Sequence, residues 1–475
     1  MPPVFGQNGA MFERIGRDRM AVGFTGGSAG TAPLTWGQQA ILRDMADNRS
    51  QFSMGGWTYL PEGSTVGYAA GQLSGLLGRH AALRTRLADG AADRPCQEVA
   101  GAGQIGLDIW TIPDDAGPDD LARCVDDLIE TWPLEPFDFR ADWPLRMAVL
   151  RQGGACLRLV WVLSHLAADG AAHLLLLRDL RRAMDGGATA DPGSPQLPDV
   201  AASEREPRLR ALSGRSMPYW QSQLRGIPAL TFGQPARPAD DRGPRYRRVR
   251  FSSVAAHLAM LAIARRTGTD ASRVTAALIA TAIGRVTGAA PLTVSVMMNN
   301  RFRPGLADVI APIAQNVAVT IDVAGTTVDA AVARARGAYL AAGLRAYYDP
   351  DDLDEVIARA DAERGYPARV SCRVNDQRAM IRGAARPADP AEVTEDAVRG
   401  RLGESALTWL GPLDHLHDQA NIIVENRPGV LSLSMLCDLW SLPGGRAEAL
   451  LRAVEDVAVE AAFDSAAPTG VAPGA

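Results

Sequence analysis

Apolar and polar positions along the chain follow two periods. In "WGQQAILRDMAD" (36–47) and "AAGQLSGLLGRHAALRTRL" (69–87) apolar residues fall near helical spacing, in the second at Leu73, Leu76, Leu77, Ala81 and Leu83. Both stretches therefore predict helices. "QIGLDIW" (104–110) and "LRMAVLR" (145–151) read as strands, with "DDLARCVDDLIETW" (119–132) as a helix between them. "CLRLVWVL" (156–163) is apolar almost without interruption, the mark of a strand covered on both faces. Before residue 32 the chain is Gly-rich and without period, which predicts a loose arm over 1–31.

The segment "DGGATADPGSPQLPDVAASEREPR" (185–208) gathers Gly, Pro, Ser and Asp and reads as a linker. After it come helix "MPYWQSQLRGI", strand "YRRVRFSS", helices "VAAHLAMLAIARRTG" and "ASRVTAALIATAIGRVTG", and strand "LTVSVMMNN". "NVAVTIDV", "ARVSCRVND", "NIIVENR" and "GVLSLSMLCDLW" continue as strands, and "GRAEALLRAVEDVAVEAA" closes as a helix. Helices and strands mix in both halves without strict alternation, so the expected class is α+β, one layered lobe per half. The boundaries expected are an arm at 1–31, a first lobe at 32–184, a linker at 185–212, a second lobe at 213–462 and a flexible tail at 463–475.

Composition narrows the function. The 475 residues are 47% hydrophobic, enough for two cores. The net charge of −5 offers no basic surface for nucleic acid or anionic membrane. All 49 basic residues are Arg, which excludes Schiff-base chemistry and a phosphate-loop lysine. Five cysteines (Cys96, Cys124, Cys156, Cys372, Cys437) lack any C-x-x-C spacing, which argues against zinc or a disulfide framework. The first twenty residues carry charges where a signal peptide has an apolar stretch, and no uncharged apolar run approaches the ~18 residues of a membrane span. The expectation is a soluble cytoplasmic protein.

The chemistry concentrates at "WVLSHLAADGAAHLLLL" (161–177), where the buried strand ends in Ser164-His165 and Asp169-Gly170 precedes a helix. A strand end delivers His165 to a sheet edge, and Asp169 can cap the following helix. The loop between is thus held at both ends, the condition for keeping an imidazole in one orientation. The plainer reading is a hydrogen-bonded structural His followed by an ordinary cap.

"SHLAADG" (164–170) resembles the HHxxxDG motif of condensation domains from nonribosomal peptide synthetases and of the wider CoA-dependent acyltransferase superfamily. Other stretches are similar to that family's signatures in the same order: "APLTWGQQAIL" (32–42), "RHAALRTRL" (79–87), "PFDFRADWPLRMAVLR" (136–151), "YWQSQLRGIP" (219–228), "VSVMMNNRFRP" (294–304), "QNVAVTIDV" (315–323) and "LSLSMLCDLWSL" (431–442). The likeness runs from about residue 32 to 460. It implies two chloramphenicol-acetyltransferase-like lobes arranged as a V-shaped pseudodimer. It also implies a catalytic histidine at His165, with Ser164 standing where the family has its first His. In the family the motif's Asp pairs with an arginine and holds the loop. Asp169 takes that role here, with Arg301 of "NNRFRP" as first partner and Arg146 as second. Gly170 would let a pantetheine arm pass close to the backbone.

The implied activity is a stand-alone condensation enzyme. An acyl group on the phosphopantetheine thioester of a carrier protein met in trans, or on CoA, goes to a small-molecule amine or alcohol, with no cofactor bound by the enzyme itself. A CoA-dependent acyltransferase and an epimerising domain share the motif; a catalytically silent recruitment domain is a further alternative, kept open by Ser164 in place of the family's first His. Among the other histidines, His80, His173 and His257 read as core. His415 and His417, two apart, lack a third fixed ligand for a metal site. Asn316 matches a structural Asn of the family, and Ser28 in "GFTGGSAG" reads as flexible loop.

Overall fold

The computed structural model describes residues 14–90, 94–187, 194–228, 230–237, 243–380 and 393–473. It divides into two compact units. The first comprises residues up to Leu209 together with Asn300–Ala314, and the second comprises Arg210–Asn299 and everything from Gln315.

The first unit runs β1 (Gly16–Thr25), β2 (Gly30–Pro33), α1 (Trp36–Asn48), β3 (Ser53–Tyr59), α2 (Val66–Arg79), β4 (Thr85–Asp89), β5 (Pro95–Val99), β6 (Ala102–Thr111), α3 (Pro118–Thr131), β7 (Leu145–Gln152), β8 (Ala155–Ser164), α4 (Gly170–Met184) and α5 (Leu197–Ser203). Five strands form one sheet in the order β1-β6-β7-β8-β3, and β2-β5-β4 form a smaller one. In the larger sheet only β6 and β7 run parallel. Strand alternation divides β8 between two layers. Val160 and Val162 pack with Leu121, Val125 and Leu128 of α3. Trp161 and Leu163 face the other way, toward Leu176, Leu177 and Leu180 of α4. That double burial is why β8 reads as an unbroken apolar run.

The second unit opens within α6 (Pro207–Gly226) and continues β9 (Tyr246–Ser253), α7 (Val254–Thr267), α8 (Ala271–Thr287), β10 (Leu292–Met298), β11 (Gln315–Ile321), α9 (Val328–Gly343), α10 (Pro350–Arg364), β12 (Cys372–Asp376), α11 (Glu395–Arg399), β13 (Ala406–Leu413), β14 (Ala420–Glu425), β15 (Leu431–Asp438) and α12 (Gly444–Ala461). Its seven strands lie in the order β11-β10-β12-β14-β15-β9-β13. α8 is its centre, buried at every residue from Val274 to Gly284. Both units are therefore α+β.

Several boundaries differ from those expected. The arm is structured from residue 14: β1 pairs with β6 along its whole length, and β2 pairs with β5. β1 lacks a clear period because it is an edge strand with most side chains exposed, and Val22 and Phe24 are its buried positions. The linker contains α5 and the start of α6, and the tail is tied down. There Thr469 is buried and its hydroxyl donates to the carbonyls of Val323 and Thr326 (2.6 and 3.1 Å), while Val471 is also buried. The expected arm at 1–13, linker at 188–193 and tail at 474–475 lie outside the described residues. The predicted helix over 69–87 stops at Arg79 and gives way to a tight turn and then β4. Finally, Asn300–Ala314, far along the sequence, belongs to the first unit.

The turn at Ser28 is held rather than free. Arg84, only 2% exposed, donates Nε–H to Leu77 O (2.9 Å), Nη1 to the carbonyls of Ser28 and Ala100 (both 2.5 Å) and Nη2 to Ser28 Oγ (3.2 Å). One guanidinium thus joins α2, the β1–β2 turn and the end of β5. Replacement Arg84→Leu strips partners from three carbonyls at once. It is expected to destabilise the protein by about 3 kcal/mol or more, read as a lower denaturation midpoint in urea.

Candidate active site

β8 ends at Ser164, whose backbone N–H donates to Pro144 O (2.9 Å). The Ser164 side chain is fully buried, and its Oγ accepts from the Leu166 N–H (3.2 Å). His165 follows, with its own N–H donating to Phe52 O at 2.9 Å, and the Ala167 N–H returns to Ser164 O at 3.1 Å. Ser164 therefore fixes the turn from inside, and His165 beside it is only part-buried.

Asp169 holds the other end of the loop. Its Oδ1 accepts from the Ala172 N–H (2.8 Å), capping α4. Its Oδ2 accepts from Arg301 Nη1 (2.8 Å) and from the N–H groups of Ile313 and Ala314 (both 3.0 Å). Arg301 Nη2 in turn donates to Val309 O and Ala311 O, each at 3.1 Å. The carboxylate, 3% exposed, is satisfied entirely by charge-assisted bonds. It joins the His loop to the 300–314 segment. That segment also lies against α1: a Cβ on Gly37 would stand 1.6 Å from Pro312 O, so only glycine fits there.

Arg301 is the arginine beside Asp169, and Arg146 is not. Arg146 pairs in register with Val162, on the face covered by α3. Its guanidinium donates to the carbonyls of Glu135 and Pro136 (2.9 and 2.7 Å) and stacks 4.0 Å from the Phe137 ring. It organises the "PFDF" turn. Gly170 is the first residue of α4, and Asn316 lies in β11 of the second unit.

His165 is part-buried, with Phe52 edge-on to its ring at 6.5 Å between centroids. Its Nδ1 is buried without a hydrogen-bond partner. Burial depresses its pKa below the ordinary histidine value, and the Asp169 and Asp44 charges oppose that only in part. The imidazole is consequently neutral near pH 7 and can accept a proton.

The remaining histidines are placed as follows. His80 is buried, its Nε2 2.9 Å from the Asp179 carboxylate that Arg79 also contacts. His257 sits in α7, its pKa lowered by burial and by the Arg378 charge. His415 meets the Tyr246 ring and His417 meets Arg369. Among the described residues no three His, Cys, Asp or Glu side chains are grouped to hold a metal ion. His173, expected in the core, is only part-buried and accepts a hydrogen bond from Trp161.

The family model for the condensation domain matches residues 28–365. Phosphinothricin tripeptide synthetase PhsC of Streptomyces viridochromogenes is 28% identical over 62% of this chain. The chain spans 28% of that protein's length and 3% of that of another relative, a probable non-canonical nonribosomal peptide synthetase of Salinispora arenicola. The fold is similar to that of the structure described as the molecular basis for condensation domain-mediated chain release from the enacyloxin polyketide synthase. There the TM-score is 0.68 at 18% identity, covering 91% of this chain and 83% of that one. With a match over most of its length and the motif residues seated as above, this chain belongs to the condensation domain family.

Proposed function

We propose that the protein transfers an acyl group from a phosphopantetheine thioester to an amine or alcohol, with His165 as the catalytic residue. The observation that carries this reading is His165 itself: a neutral, part-exposed imidazole on a loop fixed by β8 at one end and by the Asp169–Arg301 pair at the other. A thioester is already activated, so catalysis needs alignment of the two partners and management of one proton.

The nucleophile's N–H or O–H points at the imidazole lone pair as nitrogen or oxygen attacks the thioester carbonyl. His165 takes the proton, the tetrahedral intermediate collapses, the C–S bond breaks, and the pantetheine thiolate recovers the proton from the imidazolium. Amide or ester and free thiol result. Ser164 supports this role from beneath, since its hydroxyl is spent on the Leu166 N–H that shapes the turn. The donor is proposed to arrive on a carrier protein, with CoA as the alternative carrier.

A mass-spectrometric transfer assay decides the proposal. Wild type and His165→Ala are given acyl thioesters on carrier protein and on CoA, with a panel of amines and alcohols. Product from wild type and a loss of at least ~100-fold in the variant is the expected result. Loaded carrier bound equally by both forms, with turnover by neither, would replace the enzyme with a recruitment domain.

Because the base must be neutral and its pKa is depressed, kcat/KM should rise with pH and level off before about 6.5, the unperturbed imidazole value. An inflection above 7 in the pH profile would contradict this.

Asp169→Asn removes the carboxylate charge that faces the buried Arg301 guanidinium. It should cost about 3–5 kcal/mol by chemical denaturation while lowering kcat. In the double variant with Arg301→Ala the losses should sum to clearly less than the two singles together.

A further inference from the structure

We propose that His173 is a second site residue, a neutral imidazole whose Nδ1–H donates a hydrogen bond to the carbonyl oxygen of the acyl thioester. This rests on the acyl-transfer reading above and deepens it.

Trp161 sets the tautomer of His173. An indole N–H can only donate, and here Nε1 stands 2.8 Å from His173 Nε2, the rings edge-to-face at 84° and 5.9 Å between centroids. Nε2 must therefore present its lone pair. A neutral imidazole carries a single N–H, so the hydrogen is on Nδ1. The charged form would have no lone pair for Trp161. Burial and the nearby His165 hold the His173 pKa down to about 4, consistent with the neutral state.

The seat for the indole is built deliberately. Gly56 of β3 lies opposite Trp161 in register, and a Cβ there would come within 2.7–2.8 Å of the indole ring. The Trp161 ring thus occupies the space a larger residue would fill, and it locks the His173 tautomer from one side.

No described group accepts from His173 Nδ1, the residue is part-exposed, and Nδ1 is not among the buried unpartnered atoms. His173 lies one turn along α4 from Asp169, its backbone N–H donating to Asp169 O at 2.9 Å, and Asp169 is the residue that fixes the His165 loop. A fixed donor beside the proton acceptor suits an oxygen that gains negative charge as the nucleophile attacks. Such donors strengthen in the transition state without reorganising.

Two substitutions separate a substrate donor from a packing residue. His173→Asn puts an amide nitrogen at the δ position and abandons Trp161. His173→Gln puts an amide oxygen at the ε position, which keeps Trp161 satisfied and offers no δ donor. A donor role predicts kcat/KM within about threefold of wild type for Asn and a ~10–100-fold loss for Gln, with the lower melting temperature in Asn. The opposite order, or equal activity in both, would overturn the proposal.

Long-range nitrogen–proton NMR on the labelled full chain should report Nδ1–H for His173 at pH 7, assigned by the signal that vanishes in His173→Asn. An Nε2–H or doubly protonated ring would overturn it as well. Should wild type transfer no acyl group to any acceptor, the acyl-transfer reading fails, and binding still decides this one. An acyl-pantetheine analogue with methylene in place of sulfur retains the carbonyl and should bind His173→Gln at least ~10-fold more weakly than wild type. Equal affinity would sink the assignment.

Discussion

The site depends on one carboxylate. Asp169 caps α4 through one oxygen and through the other draws together Arg301 and the backbone of Ile313 and Ala314. A buried ion pair of this kind contributes little net stability compared with apolar residues of equal volume, because both ions lose their water. What it does contribute is direction. Each oxygen has fixed partners at fixed angles, so the loop between Ser164 and Gly170 has one conformation. The imidazole of His165 inherits that single orientation without itself being bonded at Nδ1.

Around this clamp the chain places its polar groups by strand parity. β8 carries Trp161 and Leu163 toward α4 and Val160 and Val162 toward α3. His173, on α4, meets the strand at Trp161. Parity also explains why Arg146 cannot serve Asp169: it is one residue out of phase, on the α3 side, where it finds carbonyls instead. The arginine that does serve comes from the segment between β10 and β11, and no local rule connects that segment to β8.

Much of this was legible in the sequence. Long apolar periods gave β6, β7, β8, α3 and most of the second unit, because buried elements write their period into the chain. The His–Asp junction was legible in the residues themselves, and Arg301 only through the family resemblance. Edge strands were not, since β1 buries only Val22 and Phe24 and its remaining residues answer to solvent. Nor was the role of Ser28, fixed by Arg84 from 56 residues away. The Trp161–His173 bond was missed because helical period alone sends His173 to the core, while the hydrogen bond depends on which strand residue faces it.

The first unit is not continuous in sequence, and this has a consequence for how the protein comes into being. Asp169 is synthesised long before residues 301–314 exist, and until they emerge its carboxylate has only the cap of α4 as a partner. A nascent chain halted after Leu209 would hold every strand of the larger sheet in the first unit, yet its His loop would lack the arginine and the two amides that fix it. The order of translation thus leaves the loop that carries His165 without these partners until residues 301–314 have emerged.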